Sequence, residues 1–561
     1  MKIKSSPTKF FQYAFEFDYK VGTVEFCRYV RQQLGNTKFD FVDKSWRFNE
    51  MSAVEIIKGR FPTVEIDPVI EMKYTMYMEQ KEQEMLSYMK SEGIKRATDS
   101  DIEIKGINGE LYPYQKVGVE FFMANNGRAI LADTMGLGKT LQALAYITTT
   151  EQNKSLIVCP ASVKYSWEGE VEKWTNLKSL VIDSATPFTK EQYEKHDVFI
   201  INYDILVRHG KPLTTFKWDC MICDEFHYVK NASAKRTKAT KAIAQKIKRV
   251  LLLSGTPMLS RPVELFNGLN ILQPAAWNNY MGFTARYCGG HYGYFGWDVK
   301  GATNINELQG KISRYFIRRT KDEVLKELPP KQFTDIPVDL PSDIRTEYNM
   351  AVADFQDYLK KVKKKSDKEV RRSMQAEKLV RLAALRQITT KGKVKHALNT
   401  INDIIDSGQK VVVFSVYNEP LKELKKALKD QAVILTGSVD AKDRKDIIEK
   451  FQEDDDVKVF LGGTKSAGVG ITLTSAANVL FIDYSWVPAD HAQAADRIHR
   501  IGQTASSVNI YQLYSRNTID DYMTKLLAGK KALFDKLIEN KDTNIQKSNI
   551  TKDLIKMIEK Q

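Results

Sequence analysis

The sequence Asp133-Thr134-Met135-Gly136-Leu137-Gly138-Lys139-Thr140 follows the short apolar run Ala129-Ile130-Leu131 and precedes a stretch with helical periodicity. A strand, a glycine-rich loop and a helix in this order are typical of a phosphate-binding loop, whose backbone amides and lysine hold phosphate oxygens. The usual pattern has a glycine five residues before Gly138, where this chain has Asp133. The setting nevertheless predicts a nucleotide site, with a chance glycine-rich turn as the alternative.

The residue types in this loop suit a nucleoside triphosphate. Gly136 and Gly138 have no Cβ, so backbone amides can approach phosphate oxygens closely. Lys139 would contact the β- and γ-phosphates, and the Thr140 hydroxyl would ligate magnesium. The predicted cofactors are therefore ATP and Mg²⁺. The loop residues predicted to bind the nucleotide are Asp133, Met135, Gly136, Gly138, Lys139 and Thr140.

Two polar motifs follow other apolar runs, so we expect them at the same edge of a parallel sheet, beside the phosphate loop. In Asp224-Glu225-Phe226-His227, Asp224 would hold magnesium through water, and Glu225 would orient and deprotonate the attacking water. In Ser254-Gly255-Thr256-Pro257, the hydroxyls of Ser254 and Thr256 could sense the γ-phosphate and couple two lobes. A plain strand-terminating turn is the alternative for this second motif.

A third motif, Gln493-Ala494-Ala495-Asp496-Arg497-Ile498-His499-Arg500-Ile501-Gly502-Gln503, lies far downstream. Arg497 and Arg500 are three residues apart, so a helix would place them on one face. Their guanidinium groups suit phosphate oxygens, and an arginine finger contributes about 10³–10⁵ in rate. A surface helix with salt bridges is the alternative. The predicted catalytic residues are Lys139, Glu225, Gln493, Arg497 and Arg500.

Apolar runs without polar alternation occur in two series, from Ala129 to about Thr256 and again after Gly408. Such runs, separated by amphipathic stretches, are typical of parallel sheets covered by helices on both faces. We therefore predict two α/β lobes, at residues 96–328 with a helical protrusion and at residues 329–540 with a basic helical insertion and a brace helix. A small α+β domain is predicted at residues 1–95 and a polar helical tail at residues 541–561.

The composition favours a globular protein with a polyanionic partner. Of the 561 residues, 43% are hydrophobic and 28% charged, which is ordinary for a soluble protein. The formal net charge of +15 points to nucleic acid.

The five scattered cysteines do not form a disulfide framework, and Cys220 and Cys223 fit a buried strand better than half of a zinc site. We see no signal peptide and no membrane span, and expect a reducing compartment.

In chain order, these motifs resemble the helicase-like motor of superfamily two, SWI/SNF type. This family implies two RecA-like lobes, ATP hydrolysis and translocation along double-stranded DNA. It also implies that Gln115 reads adenine and that Thr464, Lys465 and Gly468 contact the DNA backbone. The motifs that carry the resemblance are Leu111–Gln115, the phosphate loop, Pro160–Trp167, Asp224–His227, Ser254–Pro257, Gly463–Gly470 and Gln493–Gln503. Two positions depart from the family pattern: Thr134, where glutamate is usual, and Phe226, where alanine is usual.

Three further segments are informative: Tyr287-Cys288-Gly289 through Gly296-Trp297-Asp298, Gly301–Asn304 and Leu385–Gln387. They resemble the annealing-helicase branch of that family, in which a small HARP domain precedes the motor. A degraded HARP-like pattern runs through Lys38–Asp40, Lys44–Phe48 and Pro62–Val64. The resemblance implies recognition of junctions between single and double strands. Phe39, Trp46 and Phe48 would then stack on bases, or else fill the core of the small domain.

The leading hypothesis is a monomeric motor that remodels branched or partly single-stranded DNA in repair, replication and recombination. It would regress forks or anneal separated strands. Alternatives are a motor that displaces proteins such as polymerase, a conventional strand-separating helicase, and a DNA-binding platform with a degenerate ATP site. Single-strand-binding or replication proteins are candidate partners. The expected location is the bacterial or virus-infected cytoplasm, associated with the nucleoid, or the nucleus in a eukaryote.

Overall fold

A computed structural model describes residues 1–6, 11–17, 21–34, 38–183, 188–258, 261–294, 296–362, 377–439, 443–464 and 471–524, with the single positions 527, 530 and 538. The chain forms two compact units, residues 1–93 and residues 94–561. The boundary falls within the helix Pro68–Arg96. Within the described ranges, no helix has the length and apolar character needed to cross a bilayer.

The first unit is a small α+β domain, as predicted. Its strands are β1 Lys2–Ser5, β2 Tyr13–Glu16, β3 Lys38–Asp40, β4 Ser45–Phe48 and β5 Glu65–Ile66, in the sheet order β3-β4-β2-β1-β5. The helices Val21–Leu34 and Met51–Arg60 lie between the strands along the chain. Trp46 and Phe48 are buried in the core of this unit, so the base-stacking hypothesis is wrong for these two rings. Phe39 is partly buried, and Phe41 beside it is exposed.

The first sheet of the second unit has seven strands, and each neighbouring pair is parallel. Its order is β14-β6-β11-β10-β7-β9-β8. The central strands are buried along their length, which explains why their sequences are unbroken apolar runs. The strands are β6 Arg128–Leu131, β7 Ser155–Cys159, β8 Ser179–Val181, β9 Val198–Asn202, β10 Cys220–Asp224, β11 Arg249–Leu253 and β14 Phe316–Ile317.

Helices on both faces of this sheet give two separate core clusters. A short hairpin, β12 His291–Gly293 and β13 Gly296–Asp298, forms a sheet of its own. The helices are Pro113–Ala124, Lys139–Thr149, Lys164–Trp174, Lys190–Lys195, Leu206–Leu213, Lys235–Ala244, Phe266–Leu272, Tyr280–Tyr287, Ile305–Ser313 and Lys321–Val324.

The second sheet of this unit has six parallel strands in the order β15-β20-β19-β16-β18-β17. Strand β15 lies at an edge, which accommodates Pro337 because an edge strand can lack one backbone donor. The strands are β15 Lys331–Val338, β16 Val411–Ser415, β17 Ala432–Leu435, β18 Val459–Gly463, β19 Asn478–Phe481 and β20 Val508–Ser515. The helices are Ser342–Ala353, Phe355–Asp357, Tyr358–Val362 (of π type), Glu377–Asp406, Asn418–Leu428, Asp443–Glu453 and Pro488–Ala495.

These two sheets confirm the predicted fold class of two parallel-sheet lobes with a small α+β domain. We call them the first and second lobe. All five cysteines are buried, and Cys220 and Cys223 lie in β10 as expected. Most of the predicted basic insertion, the polar tail at 541–561, and the DNA-binding candidates Lys465 and Gly468 lie outside the described residues.

Candidate active site

The phosphate loop joins β6 to the helix Lys139–Thr149, as its sequence predicts. Gly136 and Gly138 have φ of +87° and +70°, in the left-handed region that favours glycine. A Cβ at Gly138 would also collide with Nε2 of Gln115. Both glycines are therefore required by the path of the loop.

Lys139 points into its own loop. Its Nζ donates hydrogen bonds to the backbone carbonyls of Asp133 at 2.8 Å and Thr134 at 3.4 Å. Burial lowers the pKa of Lys139, although the carboxylates of Glu225, Asp133 and Asp224 oppose that shift. The ammonium thus lies where a phosphate could replace the two carbonyls.

Asp133 was predicted to bind the nucleotide, but its side chain is held by other partners. It is fully buried, and Arg319 donates to both of its oxygens, from Nε at 3.0 Å and from Nη2 at 2.5 Å. Gln142 donates to the same carboxylate at 3.2 Å. Asp133 therefore replaces the usual glycine with a buried ion pair that fixes the start of the loop, and only its carbonyl contacts Lys139.

Asp224 ends β10 beside the loop, as expected. The indole Nε1 of Trp167 donates to Asp224 Oδ2 at 2.9 Å, and the backbone amide of Glu225 donates to Oδ1 at 3.0 Å. Burial and the neighbouring Glu225 carboxylate raise the pKa of Asp224 to about 6. A divalent cation would relieve this unfavourable charge, so Asp224 is suited to hold one.

Glu225 has φ of +48°, an uncommon conformation for a residue with a side chain and one that concentrates at functional sites. Ser254 Oγ donates to Glu225 Oε2 at 2.7 Å, and His227 Nδ1 lies 3.2 Å from the same oxygen. Burial raises the pKa of Glu225, but the hydrogen bonds and charges of His227, Lys139 and Ser254 outweigh it and lower that pKa. The carboxylate is therefore held ionised and in one orientation.

Arg497 and Arg500 reach this site from the second lobe, but not from a helix as predicted. The helix Pro488–Ala495 ends before them, and both lie in the turns that follow. Arg497 is fully buried, with Nη2 3.8 Å from Met135 Sδ in the phosphate loop. Arg500 Nη1 donates to Thr472 Oγ1 at 3.0 Å. Burial lowers the pKa of both guanidinium groups.

A cavity of about 810 Å³ brings these groups together. This volume lies in the range of small-molecule sites. Both lobes contribute to its wall, so the site is complete only when they are together. Its lining includes Gln115, Met135, Gly136, Gly138, Lys139, Thr140, Trp167, Asp224 and Glu225 from the first lobe, and Thr472, Arg497 and Arg500 from the second.

Gln493 does not line this cavity, although it was predicted to be catalytic. Its Nε2 donates to Thr256 Oγ1 at 2.8 Å, across the two lobes. Gln493 lies on the helix Pro488–Ala495, which meets the first lobe at the end of β11. Because Ser254 contacts Glu225 and Thr256 contacts Gln493, these hydroxyls join the site to the second lobe.

A second link between the lobes was missed by sequence reasoning. Lys321 Nζ, in the segment after β14, lies 2.9 Å from Asp496 Oδ1, and Lys331 Nζ lies 2.7 Å from the same oxygen. Lys321 also donates to the backbone carbonyl of His499. Burial raises the pKa of Asp496, but the two lysines outweigh it and lower that pKa to about 2. Asp496 directly precedes Arg497, so this cluster fixes the turn that carries the arginines.

The two remaining predicted residues, Gln115 and Thr464, are both buried. Gln115 Nε2 donates to the Leu137 carbonyl at 3.3 Å, and its Oε1 accepts from the Tyr112 amide at 3.0 Å. Thr464 follows β18 and is buried, and its Oγ1 has no hydrogen-bond partner among the described residues.

The two departures from the family pattern are both accommodated in the fold. Thr134 Oγ1 is buried and likewise has no partner within the described ranges. Phe226 packs against Gly268, where a Cβ would lie 2.7 Å from its ring.

The fold and the site define a two-lobed P-loop nucleotide-binding protein. Residues 114–394 match the family described as SNF2-related domain, and residues 393–502 match the helicase conserved C-terminal domain. The chain therefore belongs to the SNF2-related family of helicase-like ATPases, which confirms the resemblance stated above.

Among curated relatives, the DNA annealing helicase and endonuclease ZRANB3 of Homo sapiens is 34% identical over 78% of this chain and 41% of its own length. The SWI/SNF-related matrix-associated actin-dependent regulator of chromatin subfamily A-like protein 1 of Xenopus laevis is 31% identical over 89% of this chain and 51% of its own length. The chain thus spans about half the length of these relatives. A solved Sulfolobus solfataricus SWI2/SNF2 ATPase core in complex with dsDNA is 29% identical, covering 79% of this chain and 96% of that one, with a TM-score of 0.39.

Proposed function

We propose that this protein hydrolyses ATP to move along double-stranded DNA and that it remodels branched or partly single-stranded DNA. The observation that carries the proposal is the cavity lined by Lys139, Asp224 and Glu225 on one lobe and by Arg497 and Arg500 on the other. A site that both lobes complete can link hydrolysis to their relative movement, which is how a two-lobed motor takes a step.

The residues fit ATP with Mg²⁺. Magnesium keeps several waters and binds through one or two protein oxygens together with the substrate phosphates. Thr140 and Asp224 line one cavity and supply such oxygens, and a cation there would offset the burial and the Glu225 charge that raise the pKa of Asp224. When bound, the ion would screen the phosphate charge.

The protein groups then have distinct roles. Lys139 would exchange its two carbonyl partners for phosphate oxygens. Glu225, held ionised by Ser254 and His227, would orient the attacking water and accept its proton. Arg497 and Arg500 would stabilise the charge that develops on the transferred phosphoryl group.

DNA is the proposed track for two reasons. The net charge of +15 favours a polyanion, and the similar protein ZRANB3 is named a DNA annealing helicase. We propose that the first unit directs the motor to junctions. The protein would then work at the nucleoid of a bacterial or virus-infected cell, or in a nucleus.

The test is ATP turnover, measured as phosphate release, with duplex, forked, single-stranded and RNA ligands over a salt series. We expect stimulation by duplex DNA, greater stimulation by forked DNA, and loss of both as salt rises. Lys139→Ala should abolish turnover. Lys190→Ala is the matched control, because Lys190 is an exposed lysine of the same lobe. If Lys139→Ala left turnover unchanged, the assignment of the ATP site would be wrong. If DNA did not stimulate turnover, the proposed movement along DNA would be wrong.

Annealing activity is tested separately. Complementary strands coated with a single-strand-binding protein should be rewound by the wild-type chain with ATP, but not by Lys139→Ala. A motor that instead displaces a DNA-bound polymerase without rewinding strands would favour the alternative function. Forked DNA that stimulates no better than duplex would remove the proposed role of the first unit.

A further inference from the structure

The β12–β13 hairpin carries aromatic side chains that the proposed ATP site does not use. Tyr292 is 79% exposed and Tyr294 is 97% exposed. Single exposed apolar residues are common on protein surfaces, but two large rings on one short hairpin form a concentrated surface. We call Tyr292 and Tyr294 the hairpin rings.

The base of the hairpin is held firmly on the first lobe. Trp297 Nε1 donates to Thr284 Oγ1 at 3.0 Å, and the amide of Gly290 donates to the Thr284 carbonyl at 2.9 Å. A Cβ at Gly290 would lie 2.6 Å from the Trp297 ring, and one at Gly301 would lie 2.7 Å from the Cys288 carbonyl. Only glycine allows this close approach, so the backbone beneath the rings has little freedom.

Tyr292 contacts the Trp297 ring and yet leaves most of its surface exposed. The Trp297 ring meets Tyr292 edge-on, with centroids 5.1 Å apart and an interplanar angle of 70°. Trp297 is itself fixed by its hydrogen bond to Thr284. The contact with Trp297 restricts the Tyr292 ring before any ligand arrives, which lowers the entropic cost of stacking on it.

The charges around the hairpin suit an anionic ligand. Glu307 is paired with Arg286 at 2.5 Å and with Lys311 at 3.2 Å, and Asp298 is paired with Lys300 at 3.2 Å. Both of these carboxylates are thus paired, and the three cations outnumber them. These cations would therefore attract a polyanion that also carries flat rings.

We infer that the hairpin rings are a stacking site for unpaired nucleobases of a DNA strand. Exposed aromatic rings accept any base, because every base has a π face, whereas bases within a duplex have their faces already covered. The inference rests on the proposed function in that the motor brings this lobe to DNA. It adds a contact that distinguishes a separated strand from a duplex.

The test is equilibrium binding without nucleotide, using the full chain and a single-stranded oligonucleotide that contains 2-aminopurine. Stacking should quench the fluorescence of this base. Tyr292→Ala with Tyr294→Ala should weaken binding about tenfold or more and abolish the quenching. Tyr292→Phe with Tyr294→Phe is the matched control, because it keeps both rings, and it should bind like the wild type.

The remaining outcomes are also decisive. Alanine variants that keep wild-type affinity and quenching would overturn the inference. The hairpin rings would then be assigned to contact with a protein partner. Phenylalanine variants as weak as the alanine variants would overturn it too, since hydroxyls and not ring faces would be responsible. Thermal unfolding checks that the variants are folded. If the double alanine variant is unfolded, the binding and quenching measurements are made with Tyr294→Ala alone. Duplex-stimulated ATP turnover of the wild type tests the proposed function independently.

Discussion

Lys321 Nζ lies 2.9 Å from Asp496 Oδ1, and this ion pair joins the segment that leaves the first lobe to the turn that carries Arg497 and Arg500. Lys321 also lies against the phosphate loop, since a Cβ at Gly136 would be 3.4 Å from its Nζ. One buried ammonium therefore lies beside the loop that would bind phosphate and contacts the residue that precedes the arginines. This arrangement makes Lys321 a positioning residue between the lobes.

Breaking this ion pair should uncouple the lobes and destabilise their interface. Lys321→Met leaves Asp496 paired with Lys331 alone, so the cost should be below the ~3–5 kcal/mol of a buried charge that loses every partner. We expect a lower unfolding midpoint and slower ATP turnover, while a first-lobe control, Lys326→Ala at an exposed lysine, changes neither. A double-mutant cycle with Asp496→Asn should show strong coupling, and additive effects would contradict the link.

The arginines should affect turnover far more than nucleotide binding. Arg500→Ala is expected to reduce the turnover rate by about 10³-fold or more, because an arginine finger acts mainly on the transition state. A fluorescent nucleotide should still bind at near wild-type affinity. Arg516→Ala, at an exposed arginine of the same lobe, is the control. A variant that loses nucleotide binding in proportion to turnover would assign Arg500 to ground-state binding.

We expect Ser254 to affect ATP turnover by orienting the Glu225 carboxylate. Ser254→Ala removes the hydrogen bond of 2.7 Å that orients the carboxylate, so we expect turnover to fall about tenfold with nucleotide affinity retained. Measuring the two quantities on the same preparation separates them. If affinity fell and turnover of the bound nucleotide did not, Ser254 would act on binding instead.

Magnesium-nucleotide binding should depend on pH in a defined direction. Because the pKa of Asp224 is raised to about 6, its carboxylate is ionised above that pH and protonated below it. A bound cation favours the ionised form, so affinity should be constant above about pH 6 and fall about tenfold per pH unit below it. Asp224→Asn should bind weakly and lose this dependence. If Asp224→Asn showed the same fall in affinity below pH 6, the pH dependence would be assigned to another group.

The Asp133–Arg319 pair should be structural. Asp133→Ala would leave the buried Arg319 guanidinium without its carboxylate, at a cost of about 3–5 kcal/mol in unfolding free energy. Replacing both residues, with Arg319→Met in the Asp133→Ala background, should recover part of that loss. Unfolding midpoints of the single and double variants measure the difference. If Asp133→Ala abolished nucleotide binding without lowering stability, the carboxylate would belong to the site after all.

The sequence predicted the features that depend on local patterns. Unbroken apolar runs identified the central strands, and the setting of Gly136 to Lys139 identified the loop, because a buried parallel sheet and a tight turn each constrain neighbouring residues. Strands β15 and β20 were not predicted. Their residues alternate between polar and apolar, and β15 lies at a sheet edge and contains a proline.

The long-range pairs could not be predicted. Lys321 and Asp496 are 175 residues apart, and Asp133 and Arg319 are 186 apart, so no local pattern connects them. The one available signal was an acidic residue where the loop motif has glycine, since a buried carboxylate requires a partner. The end of the helix at Ala495 was also missed: the contacts of Lys321 with Asp496 and with the His499 carbonyl lie just past it, and no local pattern indicates them.

The burial of every cysteine gives this protein a set of internal reporters. Desolvation raises the pKa of the thiols at Cys27 and Cys220 to about 12, so neither presents the reactive thiolate in the folded state. An alkylating reagent can therefore modify these positions only when the chain around them opens. Cys27 would report on the first unit, Cys159, Cys220 and Cys223 on the first sheet, and Cys288 on the hairpin base. Pulsed alkylation followed by peptide mass spectrometry could thus rank the local stability of three regions in the wild-type sequence.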